Sequence, residues 1–344
     1  MSLGVAVVGA GYWGPNLIRN FSGSELWDVR AVCDASIERA RKAVGRYSNI
    51  AVTADFEQVL DDESVDAVAI ATPASTHFEL ARAALEAGKH VLVEKPLAAT
   101  VSDSAKLVDL AEDRGLTLMC DHTFCYTPAV QQIRRLIADG ELGDIQYIDS
   151  VRINLGLVQS DIDVVWDLAP HDLSILDSIL PADQRPTAVA ALGADPVGAG
   201  HACVAYLTLP LANGGIAHAH VNWLSPIKIR TMVIGGSRRM LVWDDMSTTQ
   251  RISVYDKGVD LSAPMSDDSR QKMLISYRTG DMVAPAIPER EALGSMVAEF
   301  AAAISEKRPA LTDGRSGLRV VRTLQAASQS LAAAGALIQL GDDE

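Results

Sequence analysis

The chain has 344 residues, 48% of them apolar, and a formal net charge of −14 at neutral pH. That length exceeds one comfortable core and predicts two domains, while the mixture of apolar and charged residues excludes a disordered chain. The acidic balance repels phosphate backbones and anionic lipid, so neither nucleic acid nor a membrane is expected as a partner. No apolar run approaches the roughly 18 residues that a bilayer span needs. The Met1-Ser2-Leu3 start lacks the features of a secretory signal. Cys33, Cys120, Cys125 and Cys203 form neither a C-x-x-C pair nor a zinc-like quartet, so buried free thiols in the cytoplasm are the expectation.

In chain order, Val5 to Val8 reads as a buried strand, followed by a glycine-rich turn and a helix through Leu17, Ile18 and Phe21. Val29 to Cys33, Ala67 to Ala71, His90 to Val93 and Leu116 to Cys120 read as further strands. Helical patterns separate them, among them Thr76 to Ala87, capped by Ser75 or Thr76 and ended by Gly88. Such β-α-β alternation predicts a parallel sheet over residues 1–122. The pattern then changes. Alternating runs at Ile145 to Leu155, Ala202 to Leu209, Ile216 to Leu224, Ile229 to Ile234 and Met240 to Trp243 predict a large, mostly antiparallel sheet over residues 123–344. Trp166 to Leu180 interrupts it as a helix, and two helices close the chain near Glu289 to Ser305 and Gly317 to Ala334. The polar stretch Asp256 to Pro285 reads as a long excursion or lid, and the acidic end at Gly341 to Glu344 as a frayed tail. The fold class is therefore α/β, an N-terminal parallel sheet joined to a C-terminal α+β domain.

Gly9-Ala10-Gly11-Tyr12-Trp13-Gly14 fits G-x-G-x-x-G, and it lies between the first strand and the first helix. Gly9 permits the tight turn, Gly11 lets the backbone approach a diphosphate, and Gly14 allows close helix–strand packing. The helix N-terminus, with Tyr12 and Trp13 in the same turn, then offers free N–H groups to the phosphates. Asp34 lies 20 residues past Gly14 at the end of the second strand, where an acid binds the adenosine ribose. A carboxylate there disfavours a 2′-phosphate, so NAD is expected over NADP. Arg39 and Arg41, further along the helix, would soften that choice.

Two segments carry candidate chemistry. Glu94-Lys95-Pro96 ends a strand of the parallel sheet, and ligands lie beyond the carboxyl ends of such strands. In Trp166-Asp167-Leu168-Ala169-Pro170-His171-Asp172, helical spacing puts Asp167 and His171 on one face, and a neutral histidine suits moving a hydroxyl proton. Pro170 fits only a first turn. From spacing alone, a capping aspartate and a structural histidine remain the competing account.

Taken together, the glycine turn, Ala71-Thr72-Pro73, Glu94-Lys95-Pro96, the Asp167-x-x-x-His171 pair and Thr312-Asp313-Gly314 occur in an order that resembles the Gfo/Idh/MocA oxidoreductase family over nearly the whole chain. The resemblance implies a Rossmann domain followed by a substrate and oligomerisation domain whose sheet builds homodimers or homotetramers. It implies that Lys95 polarises the substrate oxygen, that His171 exchanges its proton, and that Asp167 orients substrate or histidine. It also implies a frequently cis Lys95–Pro96 bond, Thr72, Pro73 and His77 lining the cofactor, and Glu94 near the nicotinamide ribose.

For substrate, Arg152 and Asn154 share one strand face, and so do His218, His220 and Asn222. A metal pair at His218 and His220 lacks a third ligand, so no metal is expected. Lys228 and Arg230 alternate onto one face and suit a diphosphate, as they equally suit a solvated strand edge. With the Gly-Tyr-Trp-Gly-Pro-Asn start, this strand is similar to the family's nucleotide-sugar branch, which includes dehydrogenases of UDP-N-acetylglucosamine or its uronate at carbon 3. The sequence expectation is thus an NAD-dependent oxidoreductase acting on a sugar or nucleotide-sugar. The alternatives are a free polyol or aldose dehydrogenase, an NAD-dependent glycosidase, and an NAD-binding sensor without catalysis.

Overall fold

The computed structural model describes residues 2–47, 49–262 and 274–341. Its first sheet has six parallel strands in the order β3-β2-β1-β4-β5-β6: β1 (Leu3–Val8), β2 (Trp27–Cys33), β3 (Ala51–Thr53), β4 (Ala67–Ile70), β5 (His90–Glu94) and β6 (Leu118–Asp121). Helices α1 (Gly14–Ser22), α2 (Ile37–Val44), α3 (Phe56–Leu60), α4 (His77–Glu86) and α5 (Val101–Asp113) connect the strands. Strands β1, β4 and β5 are almost wholly buried because helices cover both faces of the sheet, which is why they read as unbroken apolar runs. Helix α4 begins without a side-chain cap; the Thr76 hydroxyl instead donates to Thr72 Oγ1 at 2.7 Å, and its oxygen also lies 2.8 Å from the Pro73 carbonyl.

The second sheet has nine strands in the order β14-β13-β12-β11-β7-β10-β9-β8-β15: β7 (Ile145–Leu155), β8 (Ala188–Ala194), β9 (Val204–Pro210), β10 (Ile216–Asn222), β11 (Leu224–Gly236), β12 (Met240–Asp244), β13 (Ile252–Ser262), β14 (Leu274–Val283) and β15 (Ile338–Gln339). Only the β7–β10 pair is parallel; the other pairs are antiparallel. Helix α6 (Pro128–Ala138) precedes this sheet, and α7 (Val164–Ile179) packs on one of its faces. Two differences from the sequence expectation stand out. The expected excursion at Asp256 to Pro285 is largely the hairpin strands β13 and β14, with residues 263–273 outside the described residues. Strand β8 was not expected, because Ala188 to Ala194 is too rich in alanine and glycine to show a two-residue alternation. The expected tail beyond Gly341 lies outside the described residues.

The last two helices, α8 (Ala292–Glu306) and α9 (Gly314–Ala332), return to the first sheet. Trp27 stacks on Phe300, with ring centroids 5.2 Å apart, and donates its indole N–H to the Val297 carbonyl at 2.7 Å. Met119 of β6 forms an antiparallel bridge with Asp313, and the Cys120 N–H donates to the Thr312 carbonyl at 2.8 Å. The largest core cluster accordingly runs through both halves, from Val5 to Ala327.

Helix α7 carries the second set of candidate residues, and a buried ion pair fixes it to β7. The Arg152 guanidinium donates to both Asp172 oxygens at 2.8 and 3.0 Å, and the Ser150 hydroxyl adds a third bond at 3.0 Å. Arg152 is 3% and Asp172 2% exposed. Removing one partner strands the other charge in the interior. Asp172→Ala is expected to cost about 3 to 5 kcal/mol of stability, read as a lower urea midpoint. A loss below about 1 kcal/mol would mean that the pair is solvated.

Candidate active site

Three glycines shape the first wall of the site. Gly9 has φ +96°, and a Cβ there would sit 2.6 Å from the Ala71 carbonyl oxygen. On Gly14, where α1 begins, a Cβ would lie 2.1 Å from the Gly9 carbonyl oxygen, so the helix packs against the turn itself. At Gly11 a Cβ would meet nothing within 4 Å, because it points into open space. That space is a cleft of about 840 Å³ lined by Gly11, Trp13, Asp34, Thr72, Glu94 and Lys95, among others. Helix α1 has no side-chain cap, whereas Ser36, Thr100, Thr127 and Asp163 cap α2, α5, α6 and α7. Pro15 has no N–H and the Asn16 N–H donates to the Trp13 carbonyl at 2.9 Å, so in this first turn the Gly14 N–H is left for an anion among the described residues. An open cradle beside an uncapped helix start fits a dinucleotide diphosphate.

Asp34, its side chain 8% exposed, accepts from the Ala10 N–H at 2.7 Å and the Ser36 N–H at 2.8 Å, so it ties the glycine turn to the end of β2. Arg39 lines the same cleft and meets Asp34 at 3.2 Å, closer to the cofactor position than its place along α2 suggested. Pro73 lines the cleft, and Tyr12, 95% exposed, stands at its edge. His77 does not line it. The ring is 1% exposed and lies between two backbone carbonyls, Pro96 at 2.8 Å from Nδ1 and Thr72 at 2.9 Å from Nε2. It works as a clamp beneath the cleft, and the expectation that it contacts the cofactor is corrected.

The Lys95–Pro96 bond is cis. Lys95 crosses to the second half of the molecule, where its ammonium donates to the Asp167 backbone carbonyl at 3.0 Å and lies 3.5 Å from Asp167 Oδ1. The other carboxylate oxygen of Asp167 accepts from the Trp223 indole at 2.9 Å. Pro170 sits well inside α7, beyond the first turn in which a proline is tolerated. It removes the N–H that the Trp166 carbonyl would otherwise accept, loosening the turn that presents the Asp167 carbonyl to Lys95.

His171, one turn beyond Asp167, packs edge-on against Phe124 at 5.0 Å and has a buried Nδ1 without a partner among the described residues. Burial first, then the charges of Lys95 and Arg152, hold its imidazole well below the usual histidine value. It is thus held in the neutral form, whose unprotonated ring nitrogen can accept a hydrogen bond. Arg152 and Arg230 both lie over the Phe124 ring, at 4.4 and 5.3 Å.

The expected substrate residues divide. Arg152 is committed to Asp172 and buried, so it is a structural cation and not a free ligand group, a correction to the sequence reading. Asn154 is half-buried on the same face of β7, close to Gly156 and Trp223. Arg230 pairs with Asp245 at 3.3 Å, while Lys228 is exposed where β11 leaves its register between Leu224 and Ile229. The two cations therefore do not form the regular strand pair expected of them. On β10, Ala217, Ala219 and Val221 are buried, and His218, His220 and Asn222 alternate with them onto the opposite face. His220 stacks on Tyr206 at 4.3 Å, away from the cleft. Among the described residues no group of His, Cys, Asp or Glu is arranged to hold a metal ion. No helix of the described residues is long and apolar enough to cross a membrane.

Sequence reasoning missed Asp121, His122, Phe124 and Trp223. Asp121 ends β6 and His122 follows it just as Glu94 ends β5 and Lys95 follows it, so the strand-end rule that found the lysine also marks them. His122 is 1% exposed, neither ring nitrogen has a partner among the described residues, and burial followed by Lys95 pushes it down to about 3.

Residues 3–122 match a family model described as an oxidoreductase family with an NAD-binding Rossmann fold, and residues 130–242 match a GFO/IDH/MocA C-terminal domain. A UDP-N-acetylglucosamine 3-dehydrogenase of Acidithiobacillus ferrooxidans is 29% identical over 97% of both chains. A solved structure of that dehydrogenase superposes with a TM-score of 0.80 at 26% identity, covering 97% of this chain and 99% of the other. GenD2 from gentamicin A biosynthesis, solved in complex with NAD, shares the fold with a TM-score of 0.81 at 24% identity over 99% and 97% of the two chains. The six-stranded half of this chain is an NAD-binding Rossmann domain.

Two predictions follow from this geometry. Gly11→Ala should fold normally and weaken NAD binding about tenfold or more, whereas Gly14→Ala should lower the melting temperature. Thermal melts and NAD titrations separate the two, and unchanged affinity in Gly11→Ala would remove the diphosphate from this turn. For His122, the unfolded ring titrates near the usual value and the folded ring far lower, so the unfolded state binds more protons. Stability is full above about pH 6.5 and falls as the pH drops below it. His122→Asn should flatten the pH slope of the unfolding free energy, read by urea denaturation, by up to about 1.4 kcal/mol per pH unit.

Proposed function

Because the chain belongs to the Gfo/Idh/MocA oxidoreductase family, we propose that it is an NAD-dependent dehydrogenase or ketoreductase acting on a secondary alcohol carbon of a nucleotide-linked sugar. UDP-N-acetylglucosamine or its uronate, oxidised at carbon 3, is the lead substrate. The observation that carries the reading is the contact of Lys95 with Asp167 at 3.0 Å, which brings a strand end of the Rossmann half against the helix bearing His171. The near full-length similarity to a UDP-N-acetylglucosamine 3-dehydrogenase supports the substrate class.

Bound NAD supplies the hydride acceptor. The Lys95 ammonium faces the substrate oxygen and stabilises the negative charge that develops as the carbon–hydrogen bond breaks. His171, held neutral, accepts the hydroxyl proton, and in the reverse direction returns it. Asp167, pinned by Trp223, keeps Lys95 on the substrate side of the cleft. Asn154 and Arg230 supply polar contacts to the sugar and its phosphates. Asp34 directs the choice of cofactor toward NAD, tempered by the Arg39 guanidinium beside it. Pairing of subunits through the open face of the second sheet, where Tyr206 is 46% exposed, completes the reading.

A panel of UDP-N-acetylglucosamine, its uronate, free N-acetylglucosamine and myo-inositol, followed by NADH formation, tests it. Turnover is expected only with the nucleotide sugars; oxidation of free polyols alone would transfer the assignment to an inositol-type dehydrogenase. Lys95→Ala and His171→Ala should each lower kcat by about a hundredfold or more with NAD binding retained. Near-native turnover in either variant rejects its role.

A further inference from the structure

Strands β5 and β6 end side by side, and both of their last residues are acids. Glu94 and Asp121 are direct partners in the parallel ladder, so their carboxyl groups lie side by side, and the charge of Asp121 raises the Glu94 carboxyl. Two carboxylates can only accept, so a bond between them requires a proton. The surrounding donors show where it sits. Asp121, 2% exposed, accepts at both oxygens, from the Thr123 hydroxyl at 2.6 Å and the Trp13 indole at 3.2 Å. Glu94 accepts once, from the Lys95 N–H to Oε2 at 3.1 Å, and its Oε1 is buried with no hydrogen-bond partner among the described residues. A proton on Glu94 Oε1, donated to the Asp121 carboxylate, would satisfy that buried oxygen. Burial and then the Asp121 charge push the Glu94 carboxyl well above its ordinary range. Burial raises the Asp121 carboxyl too, but its bonds to the Thr123 hydroxyl and backbone and the Lys95 charge offset part of that rise, so of the two acids Glu94 is the one pushed further from its ordinary range.

From this geometry we propose that Glu94 serves as a neutral carboxylic acid at the nicotinamide end of the cleft, and that Asp121 is the fixed anion beneath it. Asp121 is then a positioning residue that favours the oxidised, cationic ring over the reduced, neutral one. The proposal rests on the dinucleotide reading of the cleft. Glu94 and Lys95 line that cleft, and Asp121 lies behind them, joined through Trp13 to the glycine turn. An ionised Glu94 would neutralise the ammonium of its own neighbour. Held as an acid, it leaves Lys95 balanced by Asp167 and the deeper Asp121, with its field still directed at the substrate oxygen. The other titratable groups packed here, the Cys120 thiol and the His122 ring, are kept neutral by burial.

Infrared spectra of the apoprotein and paired titrations with NAD+ and NADH test the proposal on the wild type, Glu94→Gln and Asp121→Asn. The wild type should show the carbonyl band of a buried carboxylic acid, and Glu94→Gln should lose it. Asp121→Asn should weaken NAD+ relative to NADH by roughly tenfold. Glu94→Gln should hold that ratio within about twofold, since its amide also donates to Asp121. A wild type without the band, or a Glu94→Gln ratio shifted as far as that of Asp121→Asn, overturns the proposal, as does failure to bind either dinucleotide. If Asp121→Asn does not fold, the band in wild type against Glu94→Gln decides. If no sugar is oxidised while band and ratio behave as described, the substrate reading fails and the carboxyl pair stands.

Discussion

Everything in the candidate site turns on one ammonium group. Lys95 leaves the end of a parallel strand and meets the backbone and side chain of Asp167, a residue that belongs to the other half of the molecule. A cation held by one full and one long contact remains accessible to a third partner, unlike Arg152, whose bonds to Asp172 are short and sealed from solvent. The contrast separates a charge with reactive potential from a charge that holds a helix in place. Both interactions converge on α7, so the helix that presents His171 is anchored from the strand beneath it and from the cleft in front of it.

The electrostatics around that lysine follow from burial more than from pairing. His171 and His122 are held neutral in the interior, and each feels the lysine as a further reason to stay so. Glu94, next in sequence, is pushed the other way and keeps its proton. A cation surrounded by groups that burial has neutralised interacts strongly with whatever charge appears near it, because little else screens it. The same surroundings make the site costly to assemble, and the two apolar clusters to which β5 and β6 both contribute supply the compensating burial.

Much of this was legible in the chain because the responsible signals are local. The glycine spacing, the apolar run of β4 and the alternation along β7 and β10 each follow from a backbone requirement that a short window records. What escaped depends on distant neighbours. Arg152 looked like a ligand residue because nothing in its own strand reveals Asp172 on a helix 20 residues away. His77 lies close to the cofactor wall in sequence, but its ring turns inward to two carbonyls. Pro170 breaks a rule of helix interiors where the adjoining carbonyl finds a lysine partner. Strand β14 lies at the sheet edge, and its neighbour β13 buries Ile252 and Val254 but not Asp256 to Val259, so the alternation that marks a strand stops after two residues.

The return of α9 bears on how relatives of this chain can be recombined. Asp313 bridges to the edge of β6, Gln325 accepts the N–H that opens α5, and Arg315 grips Glu112 from the same helix. A chimera that joins one Rossmann half to another substrate half at residue 122 would sever these connections while appearing to respect the boundary between modules. The transferable unit of cofactor specificity is discontinuous: the first half of the chain together with its final helix. Grafts that carry both should inherit a working nucleotide cleft, and those that carry the first alone would expose the apolar flank that Leu318 and Val321 now cover.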